Sequence, residues 1–167
     1  MRKIVLWAVV ALMAVAIAAV PALAVPATST SNTGGLHFVG TPQVTATKDA
    51  SGAFLTATGE VAGAGRTATA VLSADAEVTT GCINRGSKDQ QPSGLERTTT
   101  TTSGTQTFNT RSGRGTFNVS TVPVTTGDRT CPDKMIPVLV GVNFTNVTLT
   151  VTSQTGTATA TFPDIDP

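Results

Sequence analysis

The chain has 167 residues, of which 13% are charged and only 4% aromatic. Its formal net charge of +1 supplies no basic field for nucleic acid or an anionic membrane. One histidine and two cysteines leave little material for a metal cluster or a thiol-redox pair.

The first residues, Met1-Arg2-Lys3, are basic, and an uncharged apolar run follows from Ile4 to Val20. Pro21 and Ala22-Leu23-Ala24 come next. This is the order of a secretory signal peptide: a cationic start, an apolar helix, a helix breaker, and small side chains for the peptidase. The expected signal peptide is 1–24, cut after Ala24, which makes the mature protein secreted and extracellular. No cysteine stands at the cut to carry a lipid, and no later segment is apolar enough to span a membrane. Loss of Arg2 and Lys3 leaves nine basic against ten acidic residues, and Trp7, the one tryptophan, leaves with them.

Residues 25–35 are rich in Pro, Ser, Thr and Gly, which reads as a flexible leader. A single domain is expected over 36–163, with 164–167 as a C-terminal tail. Across it the dominant signal is period-two alternation. In the clearest case Ala68, Ala70, Leu72, Ala74, Ala76 and Val78 share one face, while Thr67, Thr69, Ser73, Asp75, Glu77 and Thr79 share the other. That pattern is a half-buried antiparallel strand. Further strands are expected over 37–47, 53–61, 106–108, 116–119, 137–152 and 157–162, separated by Gly-rich turns. The turn Arg111-Ser112-Gly113-Arg114-Gly115 reads as a hairpin tip.

Within 137–152 the apolar parity changes: Val138, Val140, Val142 and Phe144 are even, whereas Val147, Leu149 and Val151 are odd. One uninterrupted strand cannot bury both sets on one side, so a β-bulge or bend is expected at Thr145-Asn146. Seven to eight short strands indicate an all-β fold, an antiparallel β-sandwich of Ig-like architecture, without the tryptophan of true antibody domains. Outside the cytoplasm, Cys82 and Cys131 are expected to form one disulfide. Closing a loop of about 50 residues stabilises by about 4 kcal/mol in the chain-entropy account. Because so many inward positions are Ala, Thr or Val, folding is expected to lean on that bond.

Gly35-Leu36-His37-Phe38-Val39, the loop Cys82-Ile83-Asn84-Arg85-Gly86-Ser87, and Thr130-Cys131-Pro132-Asp133 leading into Val138-Leu139-Val140-Gly141-Val142 carry a family likeness. In these segments the chain resembles a group of small secreted actinobacterial proteins without an assigned activity. A glycine often stands in that group where this chain has Ser87. The resemblance implies secretion, a β-domain and a Cys82–Cys131 bridge, and it implies no function.

Catalytic groups are scarce. His37 is the only histidine available as the base of a Ser-His-Asp triad, and no GxSxG motif accompanies it, so a partly buried structural role is expected. Oxidised cysteines offer no thiolate. Asp75 with Glu77, and Asp164 with Asp166, are paired carboxylates, but no Trp or Tyr forms a sugar platform beside them. Asp128 and Asp133, or Asp164 and Asp166, lack a calcium-loop array. No catalytic residue, metal or cofactor is therefore expected.

The best candidate for recognition is the polar loop 83–94, with Asn84, Arg85, Lys88, Asp89, Gln90 and Gln91. Arg111 and Arg114 at the hairpin tip form a second candidate, suited to an anionic envelope polymer. About a fifth of the chain is threonine, with steps such as Thr148, Thr150, Thr152 and Thr157, Thr159, Thr161. Neighbouring strands of that kind can present a hydroxyl-and-methyl ladder to an ordered surface, ice included. Threonine is also a favoured strand residue, and that plain explanation is the expected one. The sequons at Asn118, Asn143 and Asn146 are given no role. The expected function is non-enzymatic binding or structure at the cell envelope, the alternative being an inhibitor or effector that shows one loop to an extracellular protein. A His37-dependent hydrolase ranks third.

Overall fold

A computed structural model describes residues 23–86 and 91–167. Most of the expected signal peptide, and Lys88, Asp89 and Gln90 of the candidate loop, lie outside the described residues. Within them the chain is all-β, with ten strands rather than seven or eight and no helix. The strands are β1 (Val25–Pro26), β2 (Ser29–Gly34), β3 (His37–Phe38), β4 (Gln43–Asp49), β5 (Gly52–Ala62), β6 (Thr67–Asn84), β7 (Ser93–Asn109), β8 (Gly115–Ser120), β9 (Met135–Ser153) and β10 (Gly156–Thr161).

They form two antiparallel sheets. In the first, β5 pairs with β4, β3 and β8, and β1 adds to β4; the second runs β2-β10-β9-β6-β7. Both sheets send their apolar faces into one core. Val44, Leu55, Phe117 and Val119 come from the first sheet, and Leu72, Phe144, Leu149 and Val151 from the second. The expected alternation of β6 holds from Thr67 to Thr80, with Ala68 to Val78 buried on even positions; Gly81 interrupts it, and Cys82 is buried with the even parity. Because β6 contributes mostly alanine, β8 of the facing sheet can approach it closely, small against large.

The leader reading of 25–35 is corrected by the pairing. Val25 and Pro26 lie against Val44 and Gln43, and Ser29 to Gly34 pair residue by residue with Thr161 to Gly156. No apolar side chain anchors β2; backbone hydrogen bonding to β10 does. The tail is likewise tied down. Ile165 is 5% exposed and exchanges two backbone hydrogen bonds of 2.9 Å with Phe144.

The parity break in β9 is resolved as expected. Register passes from Asp75 opposite Thr145 to Ser73 opposite Thr148, so Asn146 and Val147 together face Ala74. Asn146 takes φ 53°, a conformation Asn tolerates better than most residues. A second irregularity was not foreseen: Thr79 faces Gly141 and Thr80 faces Leu139, leaving Val140 as an extra residue. Val140 is consequently 38% exposed rather than inward.

From β8 the chain crosses between the sheets. Thr121 N–H donates to the Leu55 carbonyl, Val122 N–H to the Ser103 carbonyl, and Val124 and Ala53 exchange two bonds of 2.8 and 2.9 Å. Gly104 permits this passage, since a Cβ there would overlap the Ser120 carbonyl oxygen.

Candidate functional site

The β9–β10 turn sets the register that builds a Ser/Thr surface spanning the second sheet. With Ser153 opposite Gly156, Thr152 faces Thr157, Thr150 faces Thr159 and Thr148 faces Thr161. On the far side of β10, these three threonines meet Thr33, Ser31 and Ser29 of β2. On the other side of β9, Thr152, Thr150 and Thr148 meet Thr69, Val71 and Ser73 of β6, which in turn meet Thr107, Thr105 and Ser103 of β7. The outer face of the second sheet therefore carries three rows that cross all five strands, and Val71 is the sole position in them without a hydroxyl.

Neighbouring strands stand about 4.8 Å apart and successive rows roughly 6.7 Å apart, the spacing of any pleated sheet. Hydroxyls on this face bond one another at Ser29–Thr161 (2.7 Å) and Thr69–Thr107 (3.1 Å). No charged residue interrupts the rows. They end at the bulge, where the Asp75 carboxylate accepts from Asn146 Nδ2 and Thr101 Oγ1, both at 2.9 Å. Those two hydrogen bonds, Asn146 first, hold Asp75 below its ordinary pKa.

At one end of β6, Cys82 and Cys131 form the expected disulfide, with Cα atoms 5.8 Å apart. The bond pins segment 121–134 over the inner face of the strand ends. Arg129 reinforces it by pairing with Glu96 and donating to the Gly94 carbonyl. Of the candidate loop, Asn84 closes β6 and Arg85 and Gln91 stand exposed beyond it. The remainder of that loop is shorter than 83–94 suggested, since Ser93 and Gly94 already belong to β7.

The hairpin tip lies at the other end. Arg111 and Arg114 exchange backbone bonds of 2.7 and 3.0 Å around Ser112 (φ 53°) and Gly113 (φ 75°), the positive angles that a tight hairpin turn needs. Arg114 Nε is held by Glu60 Oε1 at 2.8 Å, while Arg111 is exposed without such a partner among the described residues. The tip adjoins the Thr67 end of β6, and the disulfide adjoins Cys82, about 50 Å away along an extended strand. The two arginine-bearing surfaces expected from sequence are thus not brought together.

His37 is exposed rather than partly buried, and its Nδ1 donates to the Gly35 carbonyl at 3.1 Å. Asp75 and Glu77 do share the outer face of β6, and Asp164 and Asp166 flank the buried Ile165. Among the described residues no group of three or more His, Cys, Asp or Glu side chains is arranged to hold a metal ion. An open groove of about 460 Å³ runs between β7 and segment 122–127, and no ionisable side chain lines it. No helix of the described residues is long and apolar enough to cross a membrane.

Sequence reasoning found the Thr-x-Thr steps of β9 and β10 but missed that β2, β6 and β7 continue their rows. The available signal was weak: Ser and Thr at alternate positions in 29–33 and 103–107. Comparison with family models, with curated proteins and with solved structures finds no match.

Proposed function

We propose that this is an exported, non-enzymatic β-sandwich protein, Ig-like in its general architecture, that binds an ordered, repetitive polymer of the cell envelope through the Ser/Thr face of its second sheet. The observation that carries the reading is the register that aligns hydroxyls in rows across five strands. Such a face suits a repeating array of hydroxyl groups better than a single small ligand, which needs a concave pocket. Export is supported by the start of β1 at Val25, immediately after the expected cut at Ala24, and by the Cys82–Cys131 bond. The non-enzymatic reading is supported by an exposed His37 bonded to a backbone carbonyl and by a groove without titratable groups.

A second reading, presentation of the Asn84–Arg85 end to an extracellular protein, is favoured by the disulfide and the Arg129 contacts that immobilise its base. One experiment separates the two. Purified oxidised protein is sedimented with isolated cell envelopes, and in parallel used as bait for proteins of the spent medium. Retention on envelopes that is lost in a Thr150→Lys, Thr159→Lys variant and kept in Arg85→Ala supports the first reading. Capture of a medium protein that is lost with Arg85→Ala supports the second, and retention on neither material removes both.

A further inference from the structure

We propose that two copies of this chain pair edge to edge through β7, antiparallel and about a two-fold axis at Thr98. The inference stands apart from the function proposed above, since pairing needs no polymer.

β7 is the last strand of its sheet and is bonded to β6 along its length. Among the described residues no strand pairs with its outer edge; segment 122–130 runs beside it and bonds it at Ser103 and Gly94, but leaves the backbone groups of Arg97, Thr99 and Thr101 without a hydrogen-bond partner among those residues. The opposite edge of the sheet is β2, only 6 residues against the 17 of β7. Alternation in an antiparallel ladder identifies which backbone groups are free. Ser103 turns its carbonyl outward, where Val122 N–H bonds it at 3.0 Å. Arg97, Thr99 and Thr101 have the same parity, so their N–H and C=O groups also point away from β6. Open edges are ordinarily guarded by proline, lysine or a bulge. Residues 98–102 are instead five consecutive threonines, β-branched and uncharged.

The charges beside this edge are self-complementary. On the outer face Thr99 lies opposite Glu77, and Arg97 opposite Thr79. Glu77 and Arg97 are both exposed, and neither has an ion-pair partner among the described residues. A two-fold at Thr98 sets Arg97 of each copy opposite Thr99 of the other, one strand from that copy's Glu77. The exchange is reciprocal, as a two-fold interface requires. It also selects a second copy over a foreign peptide, because a run of identical threonines offers no side-chain pockets to read a peptide sequence. Pairing in the plane of the sheet would join two five-stranded sheets into one and leave both Ser/Thr faces on the same side.

Sedimentation equilibrium of the oxidised protein over a concentration series tests the proposal. A monomer–dimer equilibrium is expected. Thr99→Pro removes an N–H that serves nothing in the monomer, and should weaken dimerisation by about tenfold or more with unchanged circular dichroism. Arg97→Glu should weaken it similarly by setting like charges together, and the double exchange Arg97→Glu, Glu77→Arg should restore it. If Thr99→Pro does not fold, the charge exchange decides alone. A monomer at every concentration, or a dimer indifferent to Arg97→Glu, overturns the proposal.

Discussion

Asn146 donates from Nδ2 to the Asp75 carboxylate at 2.9 Å, tying the bulge of β9 to the middle of β6. The bond forms because the extra residue turns Asn146 into a left-handed conformation at the point where the register of β9 on β6 shifts.

Its consequence is a pH dependence. Asp75 is held below its ordinary pKa, chiefly by Asn146 and then by Thr101, and Asp49 is lowered by Ser51 in the same sense. A carboxylate whose pKa is depressed in the folded state contributes stability above its unfolded value and loses it as pH falls through the folded one. Thermal melts should therefore be level near neutrality and drop below about pH 4. Asp75→Asn should melt lower at pH 7 and show a shallower acid decline; an acid profile identical to that of the unsubstituted protein would refute this role.

Reduction of Cys82–Cys131 releases a segment that otherwise rests on few apolar contacts. The double variant Cys82→Ser, Cys131→Ser should lose about 4 kcal/mol in urea unfolding. Limited proteolysis should then cut first between 125 and 134, because Val122 to Val124 keep their backbone partners while the stretch beyond them loses its covalent tether. First cuts elsewhere would show that the bond does not hold this segment.

Thr121 is 4% exposed, and its Oγ1 accepts from Leu55 N–H at 3.0 Å. Thr121→Val keeps the shape and strands a buried donor at the join between the sheets. The expected loss is about 1–3 kcal/mol, above what the removed hydroxyl would cost at an exposed site. Thr150→Val on the outer face is the control, and equal losses for the two would argue against a buried bond.

Local chemistry alone was enough for part of this fold. β6 was legible because small apolar and polar residues alternate over most of its length, and the bulge at Asn146 because two buried sets of opposite parity cannot share one straight strand. The disulfide was legible because only two cysteines exist to pair. These features depend on residues close in sequence, or on a count.

What tertiary contact decided is equally specific. Ser29 to Gly34 hold no large apolar residue, and their strand exists only through pairing with β10, more than a hundred residues later. Five identical threonines do not alternate, so the faces of Thr98 to Thr102 are assigned by β6 and not by their own pattern. The hydroxyl rows needed both: periodicity placed threonine at every second position, and a turn and a bulge, acting between strands distant in sequence, brought those positions into line. Pleat parity is a property of one strand, whereas register is a property of its neighbours.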